Sequence, residues 1–303
     1  MAGGLTLLVD ASSLLFRAYF STPTGVTAPD GRPINAAHGF LNMLARLVAD
    51  QDPDFLACAT DEDWRPEWRV QLLPSYKEHR LEPGSPQARA EQDLAFQLPL
   101  LLELLGACRV PVLGLAGYEA EDVIGTLAAR ASGPVAIVSG DRDLFQLVRD
   151  PDVWVLYPRR GVTEMERVDQ GYIESKYGIP GRAYADYAVL RGDPSDGLPG
   201  VRGIGEKTAS DLLARYGSLD AVIDAAAEAP TTVLSKVRMQ LDYVRRARKV
   251  VAIPTALPLP DADLSRPSDE PGLATWELAK RYALTNALGR LVAALTKRAI
   301  TAD

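Results

Sequence analysis

Three times in the first half of the chain a short apolar run ends on an acid, and helical sequence fills the gaps between the runs. Leu5-Thr6-Leu7-Leu8-Val9 ends at Asp10, Phe55-Leu56-Ala57-Cys58-Ala59-Thr60 at Asp61, and Pro134-Val135-Ala136-Ile137-Val138-Ser139 at Gly140-Asp141. Apolar runs of this length, without polar alternation, read as strands buried on both faces, the pattern of a parallel sheet. Phe40 to Val48 and Leu94 to Leu105 carry helical sequence between them, so strand and helix alternate as crossover connections require. Val153 to Tyr157 reads as a further strand. The fold class is therefore α/β, a parallel-rich central sheet flanked by helices. Ligands in such sheets collect outside the carboxyl ends of the strands, where Asp10, Asp61 and Asp141 would all stand. A single acid after a strand is commonly a helix N-cap. Three at one sheet edge call for another explanation.

The chain has 303 residues, long enough for a large α/β domain and a smaller attachment. A composition 47% hydrophobic and 24% charged excludes collagen-like, wholly disordered and coiled-coil readings. No apolar run approaches the roughly 18 residues of a membrane span, and Met1-Ala2-Gly3-Gly4 carries no basic flank of an export signal. Cys58 and Cys108, each in an apolar stretch, suit two small buried hydrophobes in a reducing compartment. A cytoplasmic monomer with no membrane partner is expected.

After about residue 174 strand-like runs disappear and short helical segments follow, punctuated by Gly192-Asp193-Pro194 and Leu198-Pro199-Gly200. Two regions result: an α/β domain over 1–174 and a helical region over 175–303. Within the second, Pro254 to Pro271 reads as a Pro-rich surface connection before a last helical stretch from Trp276 to about Lys297.

More acids lie where they could join the first three. Glu119, Glu121 and Asp122 open an amphipathic helix, and three acids within four residues exceed what the helix dipole asks for. Asp143 follows Asp141, while Asp193 and Asp196 flank a tight turn that by itself explains Asp well enough. If all nine carboxylates converge, their repulsion demands cations. Hard oxygen donors suit Mg²⁺ or Mn²⁺, and with His38 and His79 as the only histidines no zinc-spaced cluster exists. Two such ions activate a water and stabilise the leaving oxygen of a phosphodiester, which is nuclease chemistry. The formal charge of -7 does not oppose this: with those nine of the 40 acids set aside, the 33 Lys and Arg outnumber the remainder by two. Arg238, Arg245, Arg246, Arg248 and Lys249 could follow a phosphate backbone or form a solvated helix face. His79 reads as a solvated side chain and His38 as a core or capping residue; neither has a nucleophile motif beside it.

Leu198-Pro199-Gly200-Val201-Arg202-Gly203-Ile204-Gly205-Glu206-Lys207-Thr208-Ala209 has the glycine pattern of a helix-hairpin-helix, placed at about 192–216. Its glycines admit a close phosphate, and the following helix offers free amides to an anion. A glycine C-cap between packed helices would leave Arg202 and Lys207 without a role. Between Asp61 and Leu94, an insertion over about 62–93 mixes Trp64, Arg65, Trp68, Arg69, Tyr76, Lys77, His79 and Arg80, a pairing of aromatics and cations suited to a single strand.

In these motifs the chain resembles the 5′ nucleases, that is the flap endonucleases and the 5′ nuclease domain of bacterial DNA polymerase I. The resemblance runs from Leu7-Leu8-Val9-Asp10 through Ala59-Thr60-Asp61, Tyr76-Lys77, Gly117 to Val123, Asp141-Arg142-Asp143-Leu144 and Gly192 to Asp196, to Leu198–Ala209, in order over nearly the whole chain. It implies a PIN-like nuclease core with a helical arch, and a metal-dependent, structure-selective enzyme. That enzyme would cut branched or 5′-flapped double-stranded DNA by two-metal catalysis with Mg²⁺ or Mn²⁺, with 5′ to 3′ exonuclease activity. The resemblance assigns a first metal to Asp10, Asp61, Glu119, Glu121 and Asp141 and a second to Asp143, Asp193 and Asp196, with Asp122 close to both. Lys77 and Arg80 would contact the scissile phosphate from the arch, Tyr76 would stack on a terminal base, and Arg17 would steady the strand. Arg202, Gly203, Gly205 and Lys207 would hold duplex, assisted by K⁺ on the main chain of Val201 and Ile204. Gly197 departs from the pattern, since bacterial relatives often have Asn there. No polymerase portion follows, so a stand-alone enzyme with a DNA polymerase as candidate partner is expected; a polymerase I fragment would read the same. The different-class alternative is a catalytically silent binder of branched DNA.

Overall fold

The computed structural model describes residues 3–297 apart from 83, 85, 161, 163, 229 and 230. Pro83 and Ser85 of the insertion, and 298–303 at the end of the helical region, thus lie outside the described residues. The chain runs β1 (Thr6–Asp10), α1 (Ala11–Ser21), α2 (Asn35–Gln51), β2 (Phe55–Ala59), α3 (Glu67–Leu72), α4 (Pro86–Ala107), β3 (Val112–Leu113), α5 (Ala120–Arg130) and β4 (Val135–Val138). It continues through β5 (Val153–Arg160), β6 (Glu164–Val168), α6 (Gln170–Tyr177), α7 (Tyr184–Arg191), α8 (Glu206–Tyr216), α9 (Leu219–Glu228), α10 (Thr232–Met239), α11 (Leu241–Val251), α12 (Leu273–Arg281) and α13 (Thr285–Thr296).

The six strands form one sheet in the order β3-β2-β1-β4-β5-β6. β1 pairs in parallel with β2, Leu7 opposite Leu56, and with β4, Leu7 opposite Ala136. β3 and β5 extend the parallel part, and β6 closes one edge antiparallel to β5. The order of strands reverses between β1 and β4, so the crevice at their carboxyl ends is a topological switch point. Asp10 ends β1 there, and Asp141 follows β4.

Alternate residues of β1 feed opposite cores, which is why its run is apolar throughout. Leu7 and Val9 pack with Phe40, Leu41 and Leu44 of α2 and Leu101 and Leu104 of α4. Leu8 packs with Val123 and Ile124 of α5, in a core that continues into Tyr184, Leu190, Leu212 and Val244 of the helical region. Burying one such Leu side chain stabilises by roughly 1.5–3 kcal/mol. Cys58 and Cys108 are free and buried, and burial pushes their thiols up to about 12 and about 11.

Three features depart from the sequence reading. β3 and β6 were not expected: β3 has two residues, too few to register as a run, and β6 is Glu-Met-Glu-Arg-Val, a charged edge strand. Helix α4 begins at Pro86 rather than Leu94 and so takes in the end of the expected insertion; Pro is favoured at a first helical turn. The stretch Pro254 to Pro271 runs as irregular, largely exposed chain, as expected of a surface connection, but it is pinned to the sheet at points. Leu257 and Leu259 are buried, Leu56 N donates to Leu264 O at 2.7 Å, and the buried Arg266 donates to Asp54 O and bonds Asp52. It straps the sheet, and α13 beyond it packs on α2, sharing the core of the α/β layer. No helix among the described residues is long and apolar enough to cross a membrane.

Candidate active site

At the carboxyl edge of the sheet opens a cavity of about 1050 Å³. Asp10, Asp61, Glu119, Glu121, Asp141, Asp193 and Asp196 line it, together with Lys77 and Arg80. Residues as far apart as 10 and 196 meet because β1, β2, β4 and α5 all deliver their ends to this edge. Asp10 caps α1: its Oδ1 accepts from Ser13 N at 2.9 Å, and its Oδ2 accepts from Ser139 Oγ at 2.6 Å. Asp61 Oδ1 accepts from Ala120 N at 2.8 Å, joining the end of β2 to the first turn of α5. Glu119 caps α5 with Asp122 in a capping box. Asp141 Oδ1 accepts from Asp143 N at 2.8 Å, which curls the β4 loop so that both carboxyls stand beside Glu121.

Glu121, Asp141 and Asp143 each place one oxygen within 4.8 Å of the others. Burial, with the charges of Asp61 and Asp141 beside it, pushes the Asp10 carboxyl up to about 7. Burial first, then Asp141, holds Glu121 and Asp143 well above the carboxylate range. Asp196 is pushed up to about 6 by burial, with Lys77 opposing. Carboxyls this reluctant to ionise form a negative pocket short of positive charge, and a hard divalent cation fits that donor set.

Not every acid faces the cavity. Arg69 of α3 is fully buried and bonds Glu119, Glu121 Oε1 at 2.9 Å and Asp122 Oδ1 at 2.7 Å. Asp122 is 0% exposed and held by this guanidinium, so the structure turns it inward rather than toward the cavity. Lys77, whose backbone is left-handed at φ 49°, donates from Nζ to Glu119 Oε1 at 2.6 Å. Glu119 therefore already carries two cations. Arg80 bonds Ser195 O at 2.9 Å and Asp196 at 3.3 Å, tying the insertion to the turn at Asp193 and Asp196.

The insertion's aromatics and cations mostly have internal partners. Arg65 donates to Tyr76 O, Trp68 to Gly117 O, and Tyr76 Oη to Glu119 Oε2 at 2.6 Å. Tyr76 is 3% exposed, so it does not present the open ring face that stacking on a terminal base requires. Sequence reasoning placed Arg69 among strand-binding cations and missed its role as the buried counter-charge. No local signal marked it, because its partners lie some 50 residues away. Arg17, by contrast, stands beside Gly140 with no ion pair and its buried Nε without a hydrogen-bond partner among the described residues. Gly197 has φ 71°, and a Cβ there would lie 2.0 Å from Ser75 O. Asn tolerates the angle, but this close approach of turn to insertion admits only Gly.

In the hairpin, Gly203 is left-handed at φ 84°, and Gly205 caps α8, whose first turn carries Lys207. Lys236 of α10 donates from Nζ to Gly203 O at 2.8 Å, and Arg202 N donates to Gln240 Oε1 at 3.0 Å. On α11, Arg246 pairs with Asp242 and Arg248 with Asp220, so part of that basic run is internally neutralised.

Residues 5–178 match the family described as 5′-3′ exonuclease, N-terminal resolvase-like domain, and residues 179–270 match 5′-3′ exonuclease, C-terminal SAM fold. A 5′-3′ exonuclease of Streptomyces coelicolor is 48% identical over 301 residues, covering 96% of this chain and 100% of that protein. DNA polymerase I of Mycobacterium bovis is 40% identical over 257 residues, 84% of this chain but 27% of that protein. The crystal structure of bacteriophage T5 flap endonuclease, a pseudo-enzyme-product complex with DNA and metal ions, superposes with a TM-score of 0.68 at 16% identity. That match covers 97% of this chain and 100% of that one and bears on the fold.

Proposed function

Because the chain belongs to the 5′-3′ exonuclease family and is thus a phosphodiesterase, we propose that it hydrolyses DNA at 5′-flap and junction structures with two divalent ions, Mg²⁺ or Mn²⁺. One observation carries this reading: Glu121, Asp141 and the buried Asp143 converge at the sheet's switch point, where Glu121 and Asp141, with Asp10 beside them, line an open cavity. Asp10, Asp61, Glu119, Glu121 and Asp141 would hold one ion, and Asp143, Asp193 and Asp196 a second. Divalent ions so held supply an activated water and stabilise the departing oxygen of the phosphodiester.

The chain's own residues do the rest. Arg69 keeps Glu119, Glu121 and Asp122 in place by charge-assisted bonds, so the acid set is preorganised before any ion arrives. Lys77 and Arg80 bring positive charge to the lip nearest Asp196, where they offset the phosphate's negative charge. Arg17 supplies a further cation on the α1 side, toward the strand entering the cavity. The duplex would lie on Arg202, Gly203, Gly205 and Lys207 of the hairpin, where helix amides and Lys207 favour a phosphate. Lys236 Nζ donates to Gly203 O, a cation held by a carbonyl of this hairpin, which supports K⁺ on the main chain of Val201 and Ile204 as part of the same proposal.

Incubating the protein with a labelled 5′-flap duplex tests the reading. Cleavage near the junction in Mg²⁺, abolished by chelator, is expected. Binding without metal-dependent product would instead leave a silent junction binder.

A further inference from the structure

A second cavity, of about 290 Å³, opens beside the acid cluster, where the loop after β4 meets α6, α7 and α8. Four cations surround it: Arg142, Lys176, Arg191 and Lys207, against the single carboxylate of Glu206. Arg191 is engaged with Asp193 and Glu206 at 3.5 and 3.2 Å. Lys176 donates to Tyr172 Oη at 2.6 Å and lies over the Tyr177 ring. The side chains of Arg142 and Lys207 have neither a hydrogen bond nor an ion pair among the described residues, although Asp193 lies near enough to Arg142 to favour its charge. Two unpaired cations in one concavity mark a place for an anion.

Arg142 also lines the large cavity, so the two spaces share a wall and a chain leaving the acids over Arg142 enters the smaller one. Lys207 on its far side stands in the first turn of α8, directly after the hairpin. The volume holds a phosphate and its waters but falls just short of the ~300 Å³ at which small-molecule pockets begin.

We propose that this cavity is a phosphate subsite that grips one backbone phosphate of the DNA strand between the cleaved bond and the hairpin, through Arg142, Lys176 and Lys207. It fixes how far along the duplex the hairpin sits from the cut. The inference rests on the nuclease reading and deepens it, by joining Lys207 at the end of the hairpin to Arg142 and Lys176, which neither the acid cluster nor the hairpin contains.

A set of 5′-flap duplexes, identical but for one uncharged methylphosphonate moved along the strand, tests it by affinity in chelator. The wild-type protein should lose about tenfold at one duplex position. Lys176→Ala should weaken binding of the unmodified duplex about as much, and Lys176→Ala should no longer respond to the methylphosphonate at that position alone. Thermal unfolding of the variant, expected to match wild type because Lys176 is exposed, excludes misfolding. A methylphosphonate profile unchanged by Lys176→Ala overturns the subsite while leaving cleavage intact. Inorganic phosphate displacing the duplex at micromolar concentration also overturns it, since the pocket would then take free phosphate. Absence of any flap binding or cleavage is a separate failure, that of the nuclease reading itself.

Discussion

Replacing Asp10 by Asn should stabilise the metal-free protein while abolishing its activity. Asp10 is fully buried at the head of α1, and its carboxyl rises from the ordinary 3.8 to about 7. At pH 8 the folded state must ionise a group that resists it by about three pKa units, a cost of about 4 kcal/mol at 1.36 kcal/mol per unit. Asn keeps the cap, because its side-chain oxygen still accepts from Ser13 N. Its amide faces the Ser139 hydroxyl, which rotates to accept. Allowing for weaker bonds without the charge, a gain of about 2–4 kcal/mol remains, or roughly 3–6 °C in Tm for a chain of this length. The sign follows from proton binding: between pH 3.8 and about 7 the folded protein holds a proton that the unfolded chain has released, so its stability falls as pH rises through that window. The advantage of Asn is therefore full at pH 8, shrinks below pH 7 and vanishes near pH 4. Thermal unfolding by circular dichroism in chelator at pH 8, 6 and 5 measures it. Added Mg²⁺ should narrow the gap by stabilising the wild type alone. A variant less stable than wild type at pH 8, or a difference that ignores pH, refutes the reasoning.

Arg69→Met should cost about 3–5 kcal/mol in chelator at neutral pH, because it leaves Glu119, Glu121 and Asp122 buried without their counter-charge. Denaturant titration should show part of that loss recovered at pH 5, where these raised carboxyls take up protons. Asp141→Ala should remove cleavage while flap affinity in chelator stays within about threefold of wild type; retained turnover in a gel assay would contradict the site. Lys207→Ala should weaken duplex binding and lower the slope of log affinity against log salt by about one, as read by anisotropy.

The strand ends were legible because a doubly buried strand leaves an unbroken apolar run, and an acid closing that run stands at the sheet edge whatever the rest of the chain does. Asp10, Asp61 and Asp141 are such cases. Glu119 and Asp122 were legible as acids of a first turn, but not as partners of Arg69, since composition marks a cation without saying what it faces. The same limit explains Tyr76: an aromatic beside a lysine reads as a stacking surface, and only the fold turns its hydroxyl onto Glu119. Pro254 to Pro271 was legible as exposed chain but not as a strap on the sheet. Leu257, Leu259 and Arg266 bury themselves against distant residues that no local window contains.

Anomalous diffraction from a crystal soaked in Mn²⁺ reads out whether the acids at the switch point hold divalent ions. The expected result is Mn²⁺ density bounded by the oxygens of Glu121, Asp141 and Asp143, with Asp10 close by. Mn²⁺ density found only at surface acids, with those carboxyls still bonded to protein groups alone, would contradict it.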